Sequence, residues 1–192
     1  MSKTYRKSIS KEEINKLPLD FFKGEIIIVN NEQTLVNAIN EIKKHSIWGF
    51  DTETKPSFKK GQKNKIATIQ LANDTKAFIF QLKKVGLNKK IIEILSTPKI
   101  IKIGLDIKQD IHKIKEIRND FEPQGFIDIQ QYAKEKGIED LSLRKMAAIV
   151  LGKRISKKQQ LSNWEKTDLS LAQKRYAATD AWIVFLLYKK LK

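Results

Sequence analysis

The feature that most restricts this chain lies near its C-terminus, where Tyr176-Ala-Ala-Thr-Asp180-Ala-Trp runs on into Val184, Phe185 and Leu187. Residues four apart share one face of a helix, so the phenol of Tyr176 and the carboxylate of Asp180 project side by side. The stripe around them is that of a buried helix. An acid in such a stripe is costly to bury, so either it meets a partner group or it binds a cation. Two further places share the oddity. Asp51-Thr-Glu53 closes the apolar run Ile47-Trp-Gly-Phe50, and Asp110 lies on the inner side of a helix that carries Ile107, Ile111 and Ile114.

Strand positions two apart point to one side, so Asp51 and Glu53 converge. Two carboxylates that close repel and partly protonate unless a cation intervenes. Mg2+ or Mn2+ takes such hard oxygen ligands and suits a site shared with phosphate. Taken singly, Asp51 and Glu53 also fit a solvated strand end, and Asp110 a surface acid among lysines. Tyr176 also fits a core residue with its hydroxyl at the rim. Only the ordered set points to a metal site.

The surrounding pattern is α/β. Residues 1–24 read as a basic arm that packs Phe21 and Phe22 and leaves the rest wet. Residues 25–192 read as one domain. Short apolar runs at 25–30, 47–51, 66–72, 77–80 and 99–104 are expected strands, with a hairpin turn at Asn73-Asp74. The first three strands are expected to be consecutive and antiparallel, and residues 126–129 are a further short strand. Helices are expected after a cap at Asn30 or Asn31, at 88–96, from an N-cap at Asp106, and at 141–151, 169–174 and 176–191. A meander followed by β–α alternation gives a mixed five-stranded sheet flanked by helices.

With 192 residues the chain is long enough for one substantial core, and its 41% hydrophobic content is ordinary for a globular protein. No apolar run approaches the roughly 18 residues that span a bilayer, and the N-terminus lacks the apolar segment of a signal peptide. The absence of cysteine excludes a disulfide framework and a thiolate metal site. A soluble intracellular (cytoplasmic) protein is the expectation. Lys and Arg total 38 against 22 acids, a formal net charge of +16. That excess favours a polyanionic partner, nucleic acid above all, with a solubilising surface as the plain alternative. Lys55, Lys59, Lys60, Lys63 and Lys65 crowd the loop after Glu53, and Lys153, Arg154, Lys157 and Lys158 crowd a second polar connection. Lys59, Lys60, Lys63 and Arg154 are the candidate contacts to a phosphate backbone, although solvated loops explain them equally well.

In order, these motifs are Asp-x-Glu on a strand, Asp in a helix behind a strand, and Tyr-x-x-x-Asp on a C-terminal helix. The set resembles the DEDD superfamily of 3'-5' exonucleases. It resembles the tyrosine-bearing branch in particular, because Tyr176 stands four residues before Asp180. The histidine branch carries His five residues before that Asp, where this chain has Arg175. Ile66-Ala-Thr-Ile-Gln-Leu71, Leu161-Ser-Asn-Trp164 and the run from Leu169 to Ala181 are similar to the Werner-syndrome-helicase exonuclease domain and to ribonuclease D. The chain departs from that pattern at Gly104-Leu105-Asp106, where many relatives read Gly-His-Asn.

The resemblance implies a ribonuclease H-like fold and a metal-dependent exonuclease that releases nucleoside 5'-monophosphates from DNA or RNA. It implies two divalent ions, Mg2+ or Mn2+. Asp51, Glu53 and Asp180 would hold the first, Asp51 would bridge to the second, and Asp110 would hold that one through water. Tyr176 would aim the attacking water. The expected substrate is a single-stranded 3' end or a recessed duplex, with DNA repair the favoured setting and a separate helicase or repair protein a candidate partner. The competing classes are a binding module on the same fold without activity, an RNA-processing exonuclease of the ribonuclease D type, and a hydrolase of small nucleotides.

Overall fold

The computed structural model describes residues 4–57 and 64–192. The chain begins with a short helix α1 (Lys11–Lys16), closed by a reciprocal cap between Ser10 and Glu13. Strand β1 (Glu25–Val29) leads into α2 (Glu32–Ile42), whose first turn is capped by the side chain of Asn31. Then come β2 (Ile47–Thr54), β3 (Ile66–Ala72) and β4 (Lys76–Gln81), followed by α3 (Leu82–Val85) and α4 (Lys89–Ser96). The second half alternates through β5 (Ile101–Gly104), α5 (Lys108–Ile117), β6 (Phe126–Asp128) and α6 (Ile129–Glu135). It ends with α7 (Leu143–Met146), a π-helical stretch at Ala147–Leu151, and the long helix α8 (Leu171–Leu191).

The sheet is mixed and flanked by helices, as expected, but it has six strands rather than five, in the order β1-β4-β3-β2-β5-β6. Strands β2, β3 and β4 form the antiparallel meander. Its tight turn is stabilised by the Asn73 carboxamide, which accepts the backbone N–H groups of Thr75 and Lys76. Strand β1 is not the meander's first member. It runs parallel to β4 at the far edge, because α2 carries the chain across before β2 begins. Strands β5 and β6 extend the other side in parallel.

Three local expectations also change. Residues 169–191 do not make two helices: a reciprocal cap at Ser170 and Gln173 starts one continuous α8. The helix expected over 141–151 shortens to α7 plus the π-helical stretch, closed by Gly152 in the left-handed conformation. Asp106 does not cap α5. Its φ of 50° places it in the left-handed region, and α5 begins after Ile107 with no side-chain cap. The N-terminal segment also buries more than expected, since Tyr5, Ile9 and Ile14 join Phe22 in the interior while Phe21 is half-buried. No helix among the described residues is long and apolar enough to cross a membrane.

The core lies on both faces of the sheet. Trp48 and Phe50 pack among Leu35, Ile39, Ile91, Leu95 and Ile114 on the α2, α4 and α5 side. Ile47 packs with Ile103, Ile183, Val184 and Leu187 on the α8 side. Alternation along β2 therefore turns positions 47, 49, 51 and 53 toward α8. The contact is closest at Gly49, where an added Cβ would stand 1.8 Å from the carbonyl oxygen of Ala181 and 3.1 Å from Cβ of Phe185. Any side chain at 49 would lift α8 off the sheet. Gly49→Ala is expected to cost about 3 kcal/mol, a Tm fall of roughly 10 °C in thermal unfolding.

Candidate functional site

Strand β2 delivers Asp51 and Glu53 to the face on which α8 rests, and Asp180 is the neighbour of the residue that touches Gly49. The three carboxylates each bring an oxygen within 4.8 Å of one another. Asp110 enters from the opposite side of the strand, in the first turn of α5. The Thr52 hydroxyl donates to Asp110 Oδ1 and ties that turn to β2. Tyr176 lies one turn before Asp180 on α8, and its hydroxyl holds the Asp180 carboxyl down. The Tyr176 ring is fixed against Trp164, with centroids 5.9 Å apart.

The electrostatics are unfavourable for a protein on its own. Burial, followed by the charges of Glu53, Asp180 and Asp110, pushes the Asp51 carboxyl well above its ordinary range. Burial, then Asp180 and Asp110, raises Glu53 to about 9, with Lys113 opposing. Burial raises Asp180 to about 7 against the pull of the Tyr176 hydroxyl and Lys157. Asp110 is raised by burial too, while Thr52 and Lys113 hold it back. Tyr176 is pushed upward, first by burial and then by the charges of Asp180 and Glu53, so its hydroxyl keeps its proton. None of the four acids forms an ion pair with a lysine or arginine among the described residues. An all-oxygen, recessed, uncompensated cluster is the donor set that a hard divalent cation satisfies.

The cleft over the cluster holds about 350 Å³ and is also lined by Arg144, Lys157, Gln160 and Tyr176. Of the basic residues singled out from the sequence, Lys59, Lys60 and Lys63 lie outside the described residues. Arg154 does not line this cleft but the adjoining pocket, and its backbone pairs with the N-terminal segment: Arg154 N–H donates to Pro18 O at 2.9 Å and Asp20 N–H to Arg154 O at 2.8 Å. Lys113, Thr52 and Arg144 were not singled out. Lys113 was within reach of sequence reasoning, because it follows Asp110 by three and shares its helix face. Arg144 was not, since a side chain of α1, Asn15, holds its guanidinium at 2.9 Å. His112 faces solvent and pairs with Glu116 at 3.3 Å.

These shifts give a signed expectation for stability. A carboxyl whose folded pKa is raised binds more protons when folded than when unfolded. Its stabilising protonation is present at low pH and lost as pH rises. With chelator present, the Tm should therefore fall between the ordinary Glu value of 4.5 and the raised value of about 9 for Glu53. Glu53→Gln, which cannot ionise, should flatten the upper part of that fall in a melting series across the same range.

With the geometry in hand, the likenesses to other proteins are informative. The model of a 3'-5' exonuclease family matches residues 26–192. The chain is 33% identical over 150 residues to the mouse bifunctional 3'-5' exonuclease/ATP-dependent helicase WRN, a match covering 74% of this chain and 11% of that protein. It is 30% identical over 155 residues to an Arabidopsis thaliana 3'-5' exonuclease, covering 75% of this chain and 52% of the relative. The chain thus spans about a tenth to a half of the length of these relatives. Among solved structures it superimposes on the Aedes aegypti Nibbler EXO domain with a TM-score of 0.79 at 21% identity, covering 91% and 89% of the two chains. Trypanosoma brucei RNase D in complex with RNA U12 gives 0.77 at 19% identity, covering 94% and 64%. At such identities the likeness is one of fold, and the fold is ribonuclease H-like. The family match runs through all four acids and Tyr176 and leaves α1 and residues 17–22 outside it. The chain belongs to the 3'-5' exonuclease family, within the DEDD superfamily.

Proposed function

We propose that the protein is a metal-dependent 3'-5' exonuclease of the tyrosine-bearing branch. In this reading it hydrolyses the terminal phosphodiester of a nucleic-acid strand to a nucleoside 5'-monophosphate and a shortened 3'-hydroxyl end. The observation that carries the reading is the meeting of Asp51, Glu53 and Asp180 within 4.8 Å, beside Asp110 and the hydroxyl of Tyr176. Asp51, Glu53 and Asp180 would hold one divalent ion, Mg2+ or Mn2+. Asp51 and Asp110 would hold a second. When bound, the pair of ions supplies a water activated near neutral pH and neutralises charge on the attacking and leaving oxygens.

The chain's own residues do the rest. Tyr176 keeps its proton, and its hydroxyl, one helical turn from Asp180, orients the attacking water. It positions that water and is not its base. Thr52 sets the height of Asp110 at the strand end, and Trp164 prevents the Tyr176 ring from swinging away. Arg144 and Lys157 line the cleft on the side where the phosphate would lie and offset charge that builds up on it. Residues 25–192 are the nuclease domain, and residues 1–24 are an arm packed onto it. The kinship with the mouse exonuclease–helicase favours a DNA strand with a free or recessed 3' end, a repair setting inside the cell, and a separate helicase as the partner class to seek. The fold shared with an RNA-bound RNase D keeps RNA in the assay.

The test is degradation of 5'-labelled single-stranded DNA, recessed duplex and RNA with Mg2+ or Mn2+. A stepwise ladder and 5'-monophosphate products are expected. Asp51→Ala should lose about a thousandfold in kcat/KM, roughly 4 kcal/mol. Tyr176→Phe, which removes only the orienting hydroxyl, should lose about ten- to a hundredfold. Equal degradation by wild type and Asp51→Ala would refute the reading. Salt-sensitive binding without any cleavage would make the protein a binding module instead.

A further inference from the structure

On the other side of Tyr176 from the acidic cluster lies a second pocket of about 530 Å³, within the roughly 300–1,000 Å³ of ordinary ligand sites. It shares Ser156 and Tyr176 with the acidic cleft, so the two adjoin across these residues. One wall is Leu19–Phe21 of the N-terminal segment, which lies outside the matched residues 26–192. The connection from Arg154 to Gln159 and the first turns of α8 supply the rest of the lining. The segment is held there by the parallel bridge between Leu19 and Arg154. It is held also by Thr179, whose hydroxyl accepts Phe22 N–H at 3.0 Å and donates to Arg175 O at 2.6 Å.

Two properties of this pocket are hard to explain as packing alone. Leu19 is 51% exposed, a large apolar side chain left in the open. Beside it the Arg175 guanidinium lies 4.5 Å from the centroid of the Phe21 ring and has no carboxylate partner among the described residues. Lys158 is likewise unpaired. The one acid in the lining, Asp20, is already engaged by Lys23 at 3.5 Å and Lys153 at 3.8 Å. An apolar and aromatic wall next to free cations is the pairing that single-stranded nucleic acid uses, base against one and phosphate against the other.

We propose that this pocket is a second nucleotide subsite, taking the base of one nucleotide on Leu19, Phe21 and Ala172 and its phosphate on Arg154, Lys158 and Arg175. It rests on the nuclease reading above, and it adds a specificity element supplied by a segment that the family match does not reach. The pocket holds a nucleotide of the same strand, next to the one whose phosphate meets the acids. The enzyme therefore prefers an unpaired run at the 3' end over an isolated mononucleotide ester.

Two measurements test it. The first is binding of a short fluorescent single-stranded oligonucleotide in chelator, followed by anisotropy. Arg175→Ala should weaken it about tenfold, or roughly 1.4 kcal/mol. Leu19→Ser, which alters no charge, should weaken it about threefold. Lys84→Ala, which removes an equal charge from α3, lines neither pocket and should have less than about a twofold effect. The second is the ratio of kcat/KM for the oligonucleotide to kcat/KM for the nitrophenyl ester of thymidine 5'-monophosphate. That ratio should fall about tenfold in Arg175→Ala. Binding by Arg175→Ala equal to that by Lys84→Ala, or equal losses on both substrates, would overturn the subsite. If the wild type cleaves neither substrate, the nuclease reading fails while the binding series still decides the subsite.

Discussion

The site depends on the contact between a helix and a strand that meet with no side chain between them. Ala181 of α8 rests on Gly49 of β2, and from that contact the adjacent Asp180 of the helix and Asp51, the next residue on that face of the strand, are carried to one place. The strand's alternation brings Glu53 to the same face, and the helix's pitch places Tyr176 one turn from Asp180. Large apolar residues on both sides of the sheet, Trp48 and Phe50 on one and Ile183, Val184 and Leu187 on the other, hold this contact closed. The core is thus the device that overcomes the repulsion of the acids.

That repulsion is a cost the fold carries at rest. Burial and mutual charge push the carboxyls of Asp51, Glu53, Asp110 and Asp180 upward, while the Thr52 and Tyr176 hydroxyls and the charges of Lys113 and Lys157 oppose them. Elsewhere the chain places its cations differently. Glu41 meets Lys44 and Lys76 at 2.8 and 2.9 Å, and Asp140 meets Lys145 at 2.6 Å. The chain has 38 basic residues, yet among the described residues none pairs with these four acids, and a place so left suits another positive charge. A side-chain cation there would occupy the coordination positions and exclude a metal.

The N-terminal segment adds a second layer to the same cleft. Asn15 holds Arg144, the residues around Leu19 pair with Arg154, and Phe22 anchors the segment through Thr179. Arg144 and Arg154, ten residues apart, are therefore both held by one stretch that precedes the sheet. This explains why Tyr5, Ile9 and Ile14 are buried rather than loose, since an arm that positions cations must itself be fixed.

The acids, the tyrosine and the mixed sheet were legible in the sequence because each leaves a local mark. An acid at the end of Ile-Trp-Gly-Phe, or four residues after a tyrosine in an apolar helix, violates the pattern around it, and such violations survive without a structure. Strand β1 was recognisable as a strand, but its place was not, because the partner of an edge strand depends on where α2 crosses. Asp106 read as a cap because its residue type suits one, whereas the closing of the β5–α5 turn put it in the left-handed region. Lys102 gave no signal at all, although its ammonium is buried and donates to the carbonyls of Thr97, Ile100 and Gln124. The sequence by itself determined which acids and which tyrosine break the pattern of their own elements, since residue type and spacing along one element are local properties. Only the tertiary structure decided which of them meet and which cations face them, because those contacts join separate elements of the chain and depend on packing that no short window contains.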